Sequence, residues 1–324
     1  MGRIAISAVD LCSAAPLNLV WQRSTLDLVL EGYFIKEVLL GLISRPIRII
    51  VTDATEAPPL LDDMLVVSLG PTLADHLRRA RDCGCRNIGL FHMGDEVGDQ
   101  DRSFYRLADY VIRNYWFEEI ISKPECSPSV TWVPNGYRNG LGPIAPSTML
   151  PIAGRTVMGF FAGAITHRRL SHERRDMIEA VASAKLPFAI FPSSTEAPYA
   201  QSLGPISYAG WLTNSRFGLV PGGNSPETIR LYDTLEAGAI PIMLNSPFVK
   251  ARDALDNPPF VLLDSWKQLA NAYAPFSDRN SPDVIESLEI RRRAVVNWWA
   301  DFKHRQQQKV SCLVNRSFES AHPR

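Results

Sequence analysis

Two short segments of the 324-residue chain bring together residue types that can act on a substrate. In the first, the apolar run Asn87 to Phe91 leads straight into His92, Met93, Gly94, Asp95 and Glu96. A carboxylate or imidazole at the end of a buried strand can take a proton from an attacking hydroxyl, and loops after such strands line clefts. Glu96 and Asp95 are therefore the leading candidates for a general base, with His92 third, and residue type alone does not rank the two carboxylates. In the second segment, Pro221, Gly222, Gly223, Asn224 and Ser225 follow a strand-like run and precede Pro226, Glu227, Thr228 and Arg230. A glycine-rich turn that opens a helix leaves backbone N–H groups at the positive end of the helix dipole, where a pyrophosphate is held. Ser225 and Pro226 read as the cap and first residue of that helix, Glu227 as an acceptor for ribose hydroxyls, and Arg230 as a cation within reach of phosphate. The same residues would also serve as an ordinary helix start, so the order of parts around them matters.

A third stretch, Arg113, Asn114, Tyr115 and Trp116, ends the next apolar run. Aromatic faces stack on sugar rings, so Arg113 and Tyr115 are candidates for an acceptor groove, and Trp116 fits core packing better. Asn135 and Gly136 read as a turn, with Tyr137 beside the cleft.

These residues need elements to position them. Runs rich in β-branched residues at 47–53, 65–69, 87–93, 110–116 and 130–137 alternate with helical patterns, which predicts buried parallel strands in βαβ units. Residues 140–155 are dense in Gly, Pro, Ser and Ala with neither period and read as a linker. Beyond it the alternation resumes at 157–163, 187–194, 216–221, 240–244 and 260–265, with a helix over roughly 167–184. The expected architecture is α/β with two doubly wound Rossmann-like units facing across a cleft: 1–145 on the acceptor side, 155–280 on the nucleotide side, and a helix from 281 that crosses back to the first unit.

Composition narrows the function. Lys+Arg and Asp+Glu are 34 each, and a net charge of zero argues against nucleic-acid binding, which needs a surplus of cations on one face. The five cysteines, Cys12, Cys83, Cys85, Cys126 and Cys312, lack zinc-ligand spacing and read as reduced thiols. No strand ends in an Asp-x-Asp pattern, and Asp62-Asp63 falls in an apparent loop, so neither a metal nor another cofactor is expected. No Gly-x-Gly-x-x-Gly follows a strand, which disfavours a dehydrogenase. The opening residues lack the form of a secretory leader, and no stretch approaches the ~20 apolar residues of a membrane span. The expected location is cytoplasmic, the inner membrane surface included, with oligomeric state open.

The run from Ser215 to Leu244 resembles the C-terminal signature of exostosin-like glycosyltransferases (family 47), most closely the ribitol xylosyltransferase branch. The residues that carry the likeness are Pro221, Gly222, Gly223, Glu227, Arg230, Tyr232, Gly238 and Pro241. The resemblance is clear for about 30 residues and diffuse elsewhere, and fucosyltransferases share a related arrangement. It implies a GT-B fold and transfer of a sugar from a nucleotide diphosphate, UDP on this likeness alone, to a carbohydrate or glycolipid acceptor, as in surface polysaccharide assembly. It also implies that Glu227 serves the donor nucleotide and that basic residues after the first C-terminal strand, Arg168 or Arg169, serve its phosphates. The paired glutamates of retaining enzymes are absent, since Leu235 stands eight residues after Glu227, so inversion is expected. The alternatives are a nucleotide-sugar-binding subunit without catalysis and a structural subunit of a larger transferase.

Overall fold

The computed structural model describes residues 15–23, 29–52, 63–70, 74–121, 130–166, 169–193 and 203–321. Arg168, Asp62, Cys12 and Cys126 lie outside them.

Two all-parallel sheets carry the molecule. The first contains β1 (Leu17–Gln22), β2 (Ile47–Thr52), β3 (Asp63–Ser68), β4 (Asn87–His92), β5 (Tyr110–Arg113) and β6 (Val130–Trp132), in the order β2-β1-β3-β4-β5-β6. The second contains β7 (Val157–Ala164), β8 (Phe188–Ser193), β9 (Ser215–Val220), β10 (Ile240–Leu244) and β11 (Val261–Leu263), in the order β11-β10-β9-β7-β8. Every residue of β1, β3, β4 and β9 is buried, the pattern of strands covered on both faces. In each sheet the chain order reverses beside the first strand, between β1 and β3 and between β7 and β9. Crevices form at such switch points, outside the carboxyl ends of the strands. This is the two-Rossmann GT-B fold.

One strand escaped the sequence reading. β1, Leu-Asn-Leu-Val-Trp-Gln, pairs in register with both β2 and β3 and lies inside the first sheet. Its polar residues hide the apolar run, yet each is buried at no more than 4% exposure, and the Asn18 amide donates to the Asp63 carbonyl at 2.8 Å. Asp63 itself opens β3 rather than lying in a loop. Its carboxylate is held by Arg45 at 2.5 Å and by the Asn87 amide at 2.6 Å, at the opposite end of the strands from the cleft.

The helix expected from Pro226 begins three residues later. It spans Ile229–Glu236 after an extended Thr228 whose side chain makes no capping bond. Ser225 does not cap it: its hydroxyl turns back onto the Glu227 carbonyl at 2.8 Å, while the Glu227 side chain is drawn into the first unit. The helix ends at Gly238, whose φ of +65° is the left-handed stop that glycine allows. Gly218 in β9 lets this helix sit directly on the sheet, because a Cβ there would fall 2.4 Å from Thr234.

The final helix, Pro282–Ala321, runs well past the expected stretch near residue 307 because Val310 and Val314 continue its buried face. It touches both units. Its Glu289 accepts from the Ile152 N–H at 2.9 Å, Lys309 donates to the Trp132 carbonyl at 2.7 Å, and Ser317 donates to Asn87 at 2.5 Å. A single apolar cluster extends from Leu17 in the first sheet through Leu219 in the second to Val314 in this helix. No helix among the described residues is long and apolar enough to cross a membrane.

Candidate active site

The loop after β4 sets the acid groups of the first unit. Asp95 is buried at 2% exposure and spends its carboxylate on its own loop, accepting from the Gly98 N–H at 3.0 Å and pairing with Arg113 at 3.1 Å. His92 is 1% exposed, between Tyr105 at 2.6 Å and Gln100 at 2.9 Å. Burial, aided by Arg113, pulls its imidazole down to about 4, so it stays neutral in the core. Asp95 and His92, both expected as candidate bases, are buried and hydrogen-bonded within the loop and its supports. Arg113, expected at the acceptor, is fully buried and also binds the Asn114 carbonyl at 3.1 Å.

Glu96 differs from its neighbour. The backbone turn that commits Asp95 inward leaves Glu96 half-buried and facing the second unit, where the Asn224 amide donates to its Oε2 at 2.5 Å. The Tyr115 phenol hydrogen-bonds the same carboxylate, and burial raises its acidity threshold well above the ordinary phenol value, so it stays protonated. Tyr115 has φ +55°, an uncommon conformation for a bulky residue, and the next N–H, that of Trp116, is fixed on Glu227 at 2.8 Å. A backbone outlier so placed is the kind that accumulates at functional sites.

Glu31 completes the group and went unnoticed in the sequence, since it lies in a turn with no motif around it. Burial pushes its carboxyl up to about 8, with the Glu31 backbone hydrogen bond opposing, Asp233 and Glu96 adding to the rise and Arg138 opposing it. Its turn is tied to the linker through Asn139, which donates its N–H to the Leu30 carbonyl at 2.7 Å and accepts the Tyr33 N–H at 2.8 Å. Tyr137, expected beside the cleft, is fully buried against Phe34 at a centroid distance of 5.3 Å and belongs to the core.

On the second unit, the loop Pro221–Thr228 follows β9 at the switch point. Its glycine amides are not free for an anion: the Gly222 N–H donates to Glu173 at 2.8 Å and the Gly223 N–H to the Ser225 carbonyl at 3.0 Å. Arg174, read from sequence as surface, is 5% exposed and ties this loop to the end of β7, donating to Gly222 at 2.8 Å and Ala164 at 2.5 Å. Arg169 is exposed; its N–H donates to the Asn224 side chain at 3.2 Å. Pro221, Ser225 and Thr228 are buried and shape the loop.

Arg230 provides a placed cation. Its guanidinium donates to the Ala162 carbonyl at 3.2 Å and 2.9 Å and lies over Phe161 at 4.8 Å. Gly163, with φ +153°, makes room for it, since a Cβ there would fall 2.2 Å from the guanidinium. The cation thus caps the carboxyl end of β7 beside the crevice.

Glu227 does not present itself to a ribose. At 2% exposure it accepts the Trp116 and Asn135 N–H groups at 2.8 Å and 3.0 Å, the Trp132 indole at 3.0 Å and the Tyr232 hydroxyl at 2.7 Å. Burial raises its carboxyl while these four donors oppose the rise. Its role here is to tie the second unit to the first. Among the described residues, no group of three or more His, Cys, Asp or Glu side chains is arranged to hold a metal ion.

The family model described as the Exostosin GT47 domain matches residues 143–270, which cover the second unit from the linker to beyond β11. A search of curated proteins finds no match. Among solved structures, the chain is similar to an alpha1,3-fucosyltransferase at 12% identity, over 90% of this chain and 91% of that one, with a TM-score of 0.49. It is similar to a sucrose-phosphate synthase from Thermosynechococcus elongatus at 13% identity, over 94% and 100%, with a TM-score of 0.48. It is also similar to a mutant O-GlcNAc transferase from Thermobaculum terrenum at 11% identity, over 95% and 70%, with a TM-score of 0.47. The family match falls on the second of the two parallel-sheet units and spans less than half of the chain.

Proposed function

We propose that this protein is a glycosyltransferase that moves a sugar, with inversion, from a nucleotide diphosphate, UDP in the first instance, to a carbohydrate acceptor bound in the cleft, with Glu96 as the base. The observation that carries the reading is the 2.5 Å contact between Glu96 of the first unit and Asn224 of the loop after β9. It sets a carboxylate against the loop after β9, at the switch point of the second sheet where a donor would be held. Arg230 and the exposed Arg169 supply positive charge on that side, and a guanidinium presents forked donors suited to a diphosphate.

In the reaction, the acceptor hydroxyl attacks C1 of the donor sugar, and the new O–C1 bond forms as the C1–O bond to the β-phosphate breaks. The bonding pair leaves with the diphosphate, and the hydroxyl proton passes to Glu96. Tyr115 orients the carboxylate and offers an aromatic face to the acceptor. The narrower likeness to the ribitol xylosyltransferase branch rests on the residues between Pro221 and Pro241 alone, so a pentose donor belongs in any panel. A cytoplasmic setting, at or near the inner membrane surface, fits an acceptor used in polysaccharide assembly.

The test pairs binding with turnover. A thermal-shift panel of UDP, GDP, CMP and their sugars, with no metal added, is expected to show a clear rise with UDP, because a ligand that binds only the native state raises its melting point. Glu96→Gln is expected to keep that rise while losing about 10²- to 10⁴-fold in turnover. Silence across the panel, or a Glu96→Gln variant with full turnover, would contradict the proposal.

A further inference from the structure

Resting on that reading, we infer that Asn224 is a positioning residue for the base, holding the Glu96 carboxylate against the donor loop so that the two halves of the site are set by one side chain. The carboxamide is held at both ends: its oxygen accepts the Arg169 N–H at 3.2 Å, and its nitrogen donates to Glu96 Oε2 at 2.5 Å. A backbone N–H can only donate and a carboxylate can only accept, so the orientation of the amide is fixed by its partners.

Both flanks of this bridge are stiff. The Gly223 carbonyl, one residue before Asn224, accepts the Leu170 N–H at 2.8 Å, and the Gly223 N–H is spent on Ser225. On the other side, the Glu96 N–H donates to the Gly94 carbonyl at 2.8 Å, and the Gly94 N–H is anchored on Asn114 at 3.2 Å. The bridge therefore joins the segment after β7, the loop after β9 and the loop after β4. Two further groups interact with Glu96: the Tyr115 phenol from the loop after β5, through a hydrogen bond, and the Glu31 carboxyl from the turn after β1, through its charge.

A carboxylate has several acceptor positions, so a donor from Asn224 on one oxygen leaves others for the attacking hydroxyl. What it removes is rotational freedom, and a reacting group misplaced by about 1 Å can cost on the order of 10²-fold in rate. Replacing the amide nitrogen with an oxygen turns this donor into an acceptor at the same distance. Two carboxylates so close cannot both ionise, and one then keeps a proton into the neutral range.

The experiment measures UDP release from a panel of UDP-glucose, UDP-galactose, UDP-xylose and UDP-N-acetylglucosamine, with water as acceptor, as a function of pH. Wild type, Asn224→Ala, Asn224→Asp and Glu96→Gln are compared on the full chain, with UDP affinity measured for each. Asn224→Ala is expected to lower kcat by roughly 10-fold or more with KM for the UDP-sugar within about 3-fold, the signature of an interaction used in the chemical step. Asn224→Asp is expected to move the acid limb of the profile upward by about one pH unit or more, with UDP affinity retained. A purely structural Asn224 would lower melting temperature and activity together with the acid limb unmoved, and that result overturns the inference. So does loss of UDP affinity in Asn224→Ala with kcat unchanged, which makes Asn224 a donor contact. A wild type that releases no UDP from any sugar fails the functional reading itself. Carbon-detected titration of the side-chain carboxyls then separates the two failures, since Asn224→Asp still shows coupled titration that Glu96→Gln removes if the contact is real.

Discussion

A carboxylate works as a base only when a lone pair faces the substrate, and the two acids that follow β4 divide on this point. Asp95 has its oxygens turned onto Gly98, Gln100 and Arg113, whereas Glu96 faces the second unit. Nothing in the residue types separates them; the separation comes from the burial of Arg113 beneath the loop, a contact between residues 18 apart. Arg230 depends on a neighbour in the same way. Gly163→Ala would put a methyl where the guanidinium lies, so this substitution is expected to weaken UDP binding by roughly as much as Arg230→Ala, about 10-fold for the loss of one charge-assisted contact. Equal UDP affinity in wild type and Gly163→Ala, by calorimetric titration, would place the diphosphate elsewhere. Glu31 gives a prediction about pH. Its carboxyl stands at about 8 against an ordinary value of 4.5, so between those values the folded protein holds a proton that the unfolded chain has released. Its contribution to stability is complete below about 4.5 and is lost as pH rises through about 8. The melting temperature of Glu31→Gln, compared with wild type, is expected to gain as pH rises across that window, and parallel curves would show that Glu31 titrates normally.

At the scale of elements, the helix Ile229–Glu236 and the residues before it act as a bracket between the two units. Glu227, Asp233 and Glu236 are all buried, and each is satisfied from outside the second sheet. Glu227 meets Trp116, Trp132 and Asn135; Asp233 meets Arg138 at 2.7 Å; Glu236 meets the Ile144 N–H at 2.8 Å and the Trp299 indole at 2.7 Å. Sequence pattern located this segment and its glycine stop, because apolar periodicity and turn residues are local properties. It did not show the surroundings of Glu227, because an acid near a helix start is equally at home near a ligand or a dipole, and its contacts with Trp116, Trp132 and Asn135 are made across more than 90 residues of chain. Removing the carboxylate leaves the Trp132, Asn135 and Tyr232 donors buried without this acceptor. Glu227→Ala is therefore expected to cost about 2–4 kcal/mol by chemical denaturation; a loss below about 1 kcal/mol would mean that the bracket is not structural.

For the molecule as a whole, ten of the eleven strands among the described residues were legible in sequence, because strands buried on both faces write themselves as apolar runs. β1 was not, since Asn18 and Gln22 interrupt its pattern, and Asn18 is satisfied by Asp63, far along the chain. The cleft was legible as two places, near residues 95 and 225, and their adjacency was not, because it depends on how the linker, the helix at 229–236 and the final helix fix one sheet against the other. A crystal structure with UDP bound tests that adjacency. The diphosphate is expected beside Arg230, over the carboxyl end of β7, with its terminal phosphate turned toward Glu96. UDP bound anywhere else, or bound there with Glu96 on the far side of the molecule, would contradict it.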